Sequence, residues 1–355
     1  MTMKIIQLLP TVSYGDAVSN DALALDRIIK SMGIDTEIYA ETAGKNLPVK
    51  NVRTLKKISG DDIVIYHMST GTDLNFLLDR TVCRKIMVYH NITPPEFFRP
   101  YSREMFALTN YGYRGLEYLK NTFNLCLADS EYNRSQLLEY GYRCPVKVRP
   151  VLIPFRDYRK APDRYIINRY SDGWTNIIFV GRIAPNKKQE DVIKTFYCYK
   201  KTNPKSRLIL VGSWAGMENY YSRLKKYTEI LGLDDVIFTG HITFDEVLAY
   251  YQVADIFLCM SRHEGFCVPL IEAMFFNIPI VALDAGAVPE TLGESGVILP
   301  DSDPVCAGET ISRILSNEAF RRDILRKQKK RLSDFSYGKT GSLFRKILTD
   351  FINGE

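Results

Sequence analysis

The sequence is poor in the residues that most often build metal centres and disulfide frameworks. It has four histidines, at 67, 90, 241 and 263, and no two of them have the spacing of a helical metal site. Its seven cysteines are scattered and include no C-x-x-C pair. An odd, dispersed set of this kind favours reduced, mostly buried thiols over disulfides or zinc. We therefore expect no metal and no disulfide scaffold.

Long apolar runs and strong charge of one sign are also missing. No run approaches the length of a transmembrane helix, and the chain enters a strand at Lys4 with no signal peptide before it. The net charge of +6 is mild. We expect a cytoplasmic protein that is possibly peripheral at the inner face of a membrane, with no nucleic acid partner. The loop after the first strand lacks G-x-G-x-x-G, so a dinucleotide fingerprint is absent.

What is present is an alternation of short β-rich runs with helical patterns, which predicts an α/β fold built on parallel sheets. A stretch rich in proline, residues 150–173, interrupts the pattern, and periodicity resumes at Thr175. We place a domain boundary there, giving domains 1–154 and 155–339. In the first half, strands are predicted at 4–9, 35–39, 62–67, 85–90, 125–129 and 146–149, with helices at 22–32 and 103–122.

The second half centres on residues 261–274, SRHEGFCVPLIEAM, which follow the apolar strand 255–260. Pro269 is suited to the first helical position, so the pattern predicts strand, loop and helix. Loops at the carboxyl ends of parallel strands bind ligands, and a helix N-terminus favours a phosphate. Glu264 and Glu272 flank the loop. Taken alone, Glu264 also fits the role of a carboxylate at the start of a helix, and Glu272 fits that of a residue on a solvated helix face.

With its context, this E-x7-E segment resembles the donor site of family 4 retaining glycosyltransferases, which have the GT-B fold. The resemblance implies two Rossmann-like domains facing across a cleft. It also implies that the helix at 340–355 packs back on the first domain. In such enzymes the first glutamate, here Glu264, lies against the donor sugar, and the second, here Glu272, holds the ribose. The loop residues between them would contribute to the donor site: Gly265, Phe266, Cys267 and Val268.

A second cluster follows the strand at 175–180, in the sequence GRIAPNKKQED. Arginine offers a bidentate fork to phosphate oxygens and lysine a point charge. The spacing resembles the diphosphate clamp of the same family, which implies that Arg182 and Lys187 stabilise charge on the leaving diphosphate without a metal cofactor. The same resemblance implies that Gly212 and Ile242 line the pocket for the nucleotide base.

The first half offers acceptor-side candidates at the ends of predicted strands. Gly15 and Asp16 follow the first strand, where Asp16 suits both helix capping and substrate contact. His67 and His90 end the third and fourth predicted strands. The tract YHNITPPEFF around His90 resembles enzymes that build lipopolysaccharide, O-antigen or capsule glycans. That resemblance implies that one of the two histidines meets the sugar, and we favour His90 as the catalytic one.

Two further charged patterns are interpreted as structural. Asp301 and Asp303 have the D-x-D form of some metal sites, but Pro304 and a helix follow, so we expect capping. The basic stretch 321–331 and the aromatic–basic stretch 101–118 are expected to be mainly ordinary helix faces. Contact with a membrane surface is the alternative for both.

The predicted function is retaining transfer of a hexose, with mannose favoured, to a surface-polysaccharide or lipid-linked glycan. The partners are then a nucleotide-sugar donor, with a GDP-sugar favoured over a UDP-sugar, and a glycan or glycolipid acceptor. Two alternatives stay open: a sugar-nucleotide epimerase of related architecture, which needs no acceptor, and a non-catalytic nucleotide-sugar-binding protein.

Overall fold

A computed structural model describes residues 3–13 and 15–355, which divide into two compact units. The first unit contains the chain up to Pro95, then Glu104–Pro154 and Phe335–Glu355. The second contains Glu96–Arg103 and Phe155–Asp334. The division after Pro154 lies within the proline-rich stretch 150–173. Two boundaries differ from those expected: residues 96–103 belong to the second unit, and the first unit resumes at 335 rather than at 340.

The first unit is built on a seven-stranded parallel sheet with the order β3-β2-β1-β4-β5-β6-β7. Its inner strands are continuous apolar runs, as expected where helices cover both faces of a sheet; every residue of the strand IVIYHM is buried. The strands are β1 (Lys4–Val12), β2 (Asp35–Ala43), β3 (Lys50–Asn51), β4 (Ile63–Met68), β5 (Arg84–Tyr89), β6 (Leu125–Ala128) and β7 (Val146–Val148), and the helices are α1 (Ala17–Ser31), α2 (Leu74–Asp79), α3 (Arg103–Leu119) and α4 (Glu131–Glu139).

The second unit repeats the plan with a six-stranded parallel sheet in the order β10-β9-β8-β11-β12-β13. Its apolar core includes Phe257 from the sheet and Leu270 from a covering helix, both fully buried. The strands are β8 (Thr175–Val180), β9 (Ser206–Val211), β10 (Val236–Phe238), β11 (Ile256–Cys259), β12 (Ile280–Leu283) and β13 (Val297–Leu299), and the helices are α5 (Arg164–Tyr170), α6 (Gln189–Thr202), α7 (Glu218–Ile230), α8 (Phe244–Gln252), α9 (Val268–Phe275), α10 (Val288–Leu292), α11 (Pro304–Ser316) and α12 (Glu318–Leu332).

Each sheet has one topological switch point, where the strand order reverses direction. In the first sheet it lies between β1 and β4, and in the second it lies between β8 and β11. Ligands of open α/β sheets bind outside the carboxyl ends of the strands at such points. The loops that follow β8 and β11 are therefore where the topology places a ligand site in the second unit.

The last helix, α13 (Tyr337–Asn353), belongs to the first unit. Phe344 and Leu348 enter the apolar cluster that contains Ile28 of α1 and Leu152. At the other end of α13, the guanidinium of Arg84 donates to the carbonyl of Phe351 at 2.7 Å. A cation near the last carbonyls of a helix also interacts favourably with the helix dipole.

Several element bounds differ from the predicted ones. Helix α1 begins at Ala17 rather than 22 because Asp16 caps it, its carboxylate accepting from the Ser19 amide at 2.9 Å. Strand β7 ends at Val148, and α9 begins at Val268, which makes Pro269 its second residue. The two-residue β3 and the short α2 were not predicted at all. Both elements are too short to contain the helical turns or strand alternations from which a periodic pattern is recognised.

The D-x-D pattern is structural as expected, since Asp303 caps α11 and its carboxylate accepts from the Val305 amide at 2.8 Å. The basic stretch 321–331 lies on α12, where Arg331 donates to the carbonyls of Glu290 and Thr291. Among the residues that the structure describes, no helix has the length and apolar character needed to cross a membrane.

Candidate active site

The loops at the switch point of the second sheet are joined by one ion pair. The ammonium of Lys187, after β8, lies 2.7 Å from both carboxylate oxygens of Glu264, after β11. The side chain of Glu264 is 7% exposed and that of Lys187 is 22% exposed. Burial by itself lowers the pKa of Lys187, but the neighbouring charge of Glu264 outweighs it and raises the pKa. Lys187 is therefore held as a cation at this point.

The backbone around Glu264 is fixed by the turn that follows β12. Gly286 has φ +55°, and a Cβ added there would lie 2.4 Å from the Glu264 carbonyl oxygen. The amide of Ala287 donates to that same oxygen at 2.9 Å. Only glycine permits this approach, so the Gly-rich turn holds the Glu264 loop in place.

The loop then enters α9 through a left-handed residue. Cys267 is the residue before the helix and has φ +66°, a conformation that costs a residue with a side chain roughly 1–2 kcal/mol. The carbonyl of Phe266 accepts from the Thr291 hydroxyl at 2.5 Å. Gly265 is half-buried, and Val268 is the first residue of α9. The predicted loop residues thus form one tightly turned segment at a helix N-terminus.

Arg182 begins the other loop, directly after Gly181 at the end of β8. It is exposed, and its guanidinium donates to the carbonyl of Ala215 at 2.8 Å. Its own carbonyl accepts from the side-chain amide of Gln189 in α6 at 3.0 Å. The side chain is thus available to an anionic ligand at the loss of one hydrogen bond to the backbone.

Glu272 lies on α9 and is held by two tyrosines. The hydroxyl of Tyr158 donates to one carboxylate oxygen at 2.8 Å, and that of Tyr251, in α8, donates to the other at 2.5 Å. Burial raises the pKa of Glu272, and the two hydrogen bonds oppose that shift. The carboxylate is thus fixed in orientation.

Gly212 and Ile242, predicted for the base pocket, have clear packing roles. At Gly212, φ is +149° and an added Cβ would lie 2.0 Å from the Gly181 carbonyl oxygen, so the loops after β8 and β9 approach each other there. Ile242 is partly buried against the apolar core of the second unit, just before α8. Their contact with a nucleotide base stays a prediction.

In the first unit the two histidines belong to a buried series of polar side chains that are hydrogen-bonded to one another. His67 Nδ1 lies 3.0 Å from His90 Nε2, and His67 Nε2 lies 3.0 Å from the Gln7 side-chain oxygen. His90 Nδ1 lies 2.7 Å from an Asp129 oxygen. The side chain of His90 is only 2% exposed, and His67 is fully buried. Both rings therefore have protein partners at every nitrogen.

The series of contacts between buried polar side chains continues from Asp129 to a second ion pair. Arg149, fully buried after β7, has one guanidinium nitrogen 3.6 Å from Asp129. The same guanidinium donates to both oxygens of Asp21 in α1, at 2.8 and 2.6 Å. We call these six residues the buried network: Gln7, His67, His90, Asp129, Arg149 and Asp21.

The remaining acceptor-side candidates lie before α1. Asp16 accepts from both the amide and the hydroxyl of Ser19, at 2.9 and 2.7 Å, so its capping role is clear. Gly15 is exposed and has φ +75°. Whether either residue contacts an acceptor stays a prediction.

Within residues 3–13 and 15–355, two groups of side chains have the composition of a metal site. One is Asp21, His67 and His90; the other is Cys259, Glu264 and Cys267, and in each the ligand atoms lie within 4.8 Å of one another. In the first group Arg149 and the neighbouring rings already bond these atoms, and in the second Lys187 bonds Glu264 through both oxygens. We assign neither group as a metal centre.

Most of the residues that hydrogen-bond to the site residues could not be identified from the sequence. Tyr158 and Tyr251 precede Glu272 by 114 and 21 residues, and Arg149 follows Asp21 by 128. Asp129 was the one such residue that the sequence indicates, because it lies at the end of a predicted strand. In a single sequence nothing marks such long-range pairs, because only the folded sheet brings them together.

Comparison with known proteins agrees with this geometry. Residues 168–331 match the family model described as glycosyl transferases group 1, so the second unit carries a group 1 glycosyltransferase domain. That match includes both loops of the Lys187–Glu264 pair and Glu272. The resemblance inferred from the sequence is therefore confirmed at the level of the family.

Similar proteins include two mannosyltransferases of Escherichia coli. The chain is 25% identical to the serotype-specific mannosyltransferase WbdA over 53% of its own length and 23% of WbdA. It is 23% identical to the O-antigen chain mannosyltransferase B over 70% of its length and 65% of that protein. The alignments thus span less than two thirds of either relative.

A solved structure extends the likeness to both units. The Anabaena protein Alr3699/HepE, crystallised with UDP and glucose, superposes with a TM-score of 0.75 at 17% identity. The superposition covers 98% of this chain and all of that one. At this identity the likeness concerns the fold, and the predicted two-domain α/β GT-B fold class is confirmed.

Proposed function

We propose that this protein is a retaining glycosyltransferase that moves a hexose from a nucleotide-sugar to a glycan or glycolipid acceptor. The observation that carries the proposal is the Lys187–Glu264 pair at the switch point of the second sheet, within the group 1 domain. In this account the second unit binds the donor. The first unit, with its histidines, binds the acceptor.

Each charged side chain has a distinct role in the proposed transfer. Lys187 and the exposed Arg182 neutralise the diphosphate, which is the electrostatic task that a metal performs in other transferases. Glu264 faces the sugar and stabilises its positive character. Glu272, oriented by Tyr158 and Tyr251, accepts the ribose hydroxyls. No metal cofactor enters this scheme.

We favour mannose and a GDP-sugar because two similar proteins carry the name mannosyltransferase. HepE, crystallised with UDP and glucose, makes UDP-glucose the competing donor. The acceptor we propose is a growing surface polysaccharide or a lipid-linked glycan, which places the enzyme in the cytoplasm or at the inner face of the membrane.

The test is transfer from labelled GDP-mannose and UDP-glucose to a membrane-glycan extract, with anomeric configuration read by NMR. We expect an α-linked product from one of these α-linked donors. An inverted product would contradict the retaining mechanism. Interconversion of the sugar nucleotide without acceptor would establish an epimerase, and binding without turnover on any extract would establish a binding protein.

Arg182→Ala tests the role of the clamp. A charge-assisted hydrogen bond is worth about 1.5–3 kcal/mol, so transfer should slow by about 10- to 100-fold while the fold persists. Lys188→Ala is the matched control, because Lys188 lies in the same loop but pairs with Glu190 at 3.0 Å. Wild-type turnover of Arg182→Ala would remove Arg182 from the site.

A further inference from the structure

We infer that His90 is held as an imidazolium at neutral pH by the buried network, with His67 as the neutral acceptor that fixes this state. His90 is then a fixed buried cation and not a general base. The protonation state rests on the contacts and charges of the network. Only the role we give it in transfer rests on the proposed function.

The first argument is a count of hydrogen-bond donors. The side-chain oxygen of Gln7 faces His67 Nε2 at 3.0 Å, and an oxygen can only accept, so His67 carries its proton on Nε2. His67 Nδ1 is then an acceptor, and His90 Nε2 must donate to it. His90 Nδ1 donates to the Asp129 carboxylate at 2.7 Å. Both nitrogens of His90 therefore carry protons.

The second argument is a count of charges. The groups that face His90 come from α1, β1, β4 and the residues that follow β6 and β7, and they contain two carboxylates and one guanidinium. Without a proton on either His90 or Asp129, the network would hold one uncompensated negative charge away from water, which is costly. Histidine is the more basic of the two groups, with an ordinary pKa of about 6.5 against about 3.9 for aspartate, so the proton belongs on His90. With the proton, Asp21, Arg149, Asp129 and His90 alternate in sign and sum to zero.

The direction of the pKa shifts agrees with both counts. Burial lowers the pKa of His90, but the charge and hydrogen bond of Asp129 outweigh it, so its pKa is raised. For His67, burial and the neighbouring charge of His90 hold the pKa well below its ordinary value. One ring of the pair is thus charged and the other neutral.

The consequence for catalysis is specific. A ring that is fully protonated, bonded at both nitrogens and 2% exposed cannot accept a proton from an acceptor hydroxyl. His90 contributes a positive charge at the carboxyl end of β5, and His67 is a positioning residue that maintains it. In the proposed transfer, kcat should fall as the pH rises through the pKa of His90.

The test is NMR of the full-length protein labelled with ¹⁵N-histidine, which contains four histidines. His67→Gln and His90→Gln assign the two rings. We expect His90 to show two protonated nitrogens at neutral pH and His67 a proton on Nε2 only. A neutral His90, or a His67 protonated on Nδ1, would overturn the inference and mean that the Gln7 amide is reversed.

Variants separate positioning from packing. Asp129→Asn should lower the proton affinity of His90 at least tenfold, whereas Asp16→Asn, which removes a helix cap in the same unit, should leave it unchanged. His67→Leu should also lower the proton affinity of His90. His67→Gln, which keeps an acceptor, should restore that affinity in part. An unchanged His90 titration in Asp129→Asn would contradict the network. If that variant does not fold, the wild-type spectrum alone decides.

The activity arm distinguishes this inference from the proposed function. If the NMR result holds but no transfer is found on any acceptor, the function proposal fails and the network stands. If transfer is found and kcat instead rises with pH through the His90 titration, His90 acts as a base and the inference fails.

Discussion

At the residue scale, the proposed donor site depends on one cation and one carboxylate that satisfy each other. Lys187 and Glu264 come from loops 77 residues apart and meet only because β8 and β11 are neighbours in the sheet. Their mutual bonding keeps a buried carboxylate compensated. It also places a cation where a diphosphate would bind.

Removal of Lys187 should therefore affect both stability and activity. We expect Lys187→Met to lower the free energy of unfolding by about 2 kcal/mol, less than the roughly 3–5 kcal/mol for a fully buried pair because Lys187 is 22% exposed. Urea denaturation measures the change. The double variant Lys187→Met/Glu264→Gln should recover stability but not transfer. If the double variant is less stable than Lys187→Met, the pair is not the cause.

The tyrosines that hold Glu272 give a second prediction at this scale. Tyr251→Phe removes one hydrogen bond to a carboxylate and should weaken nucleotide binding by about 1.5–3 kcal/mol with the backbone unchanged. Calorimetry measures the affinity, with the 69% exposed Tyr165→Phe as control. Equal affinity in both variants would show that Glu272 does not need Tyr251.

The raised pKa of His90 predicts a pH dependence of stability. Its contribution is complete below the ordinary histidine pKa of about 6.5 and is lost as the pH rises through the higher folded value. Wild type should lose stability relative to His90→Gln as the pH increases from near neutrality into the alkaline range. Urea denaturation at a series of pH values measures the difference, and a difference independent of pH would contradict the shift.

At the scale of elements, the loop that carries Glu264 is held by backbone approaches that side chains would block. Gly286 is pressed against Glu264, and Cys267 enters α9 in a left-handed conformation. These features help to hold the loop in its shape. They also show that the segment 261–274 works together with the turn after β12.

Gly286→Ala tests this dependence. Its Cβ would lie 2.4 Å from the Glu264 carbonyl, and the left-handed φ adds strain, so we expect a loss of about 2 kcal/mol and impaired transfer. Gly338→Ala, on α13 with nothing within 4 Å of the added Cβ, should gain up to about 1 kcal/mol. Normal transfer by Gly286→Ala would show that the loop can move without loss of function.

How far the sequence predicts this chain differs between elements and site. The strands and the loops after β8 and β11 were predictable because buried parallel strands are continuous apolar runs ending in turn residues. The cap at Asp16 was predictable from its residue type and position, whereas the short β3 and the left-handed Cys267 depend on single hydrogen bonds or dihedral angles. The partners of Glu272 and His90 depend on sheet order, which periodicity does not encode.

At the scale of the whole molecule, the chain forms two units with separate cores. The last helix, α13, completes the core of the first unit through Phe344, which is fully buried. The candidate donor site lies wholly within the second unit. Stability of the first unit and nucleotide binding by the second should therefore respond to different substitutions.

Phe344→Ala tests this separation. Loss of a buried phenylalanine costs about 3–5 kcal/mol, and we expect that loss in the unfolding of the first unit with little change in nucleotide affinity. Leu343→Ala, in the same helix but 37% exposed, is the control and should cost much less. A large fall in nucleotide affinity in Phe344→Ala would show that the units are energetically coupled.

The central claim is a metal-independent nucleotide-sugar site built on Arg182, Lys187, Glu264 and Glu272. The most direct measurement is thermal stability of the purified protein with GDP, UDP, ADP and NAD, each with and without EDTA. A ligand at 100 times its dissociation constant adds about 2.7 kcal/mol to the unit that binds it. We predict a shift with GDP or UDP that EDTA does not change and that Lys187→Met abolishes. No shift with either diphosphate, or a shift that EDTA removes, would contradict the account.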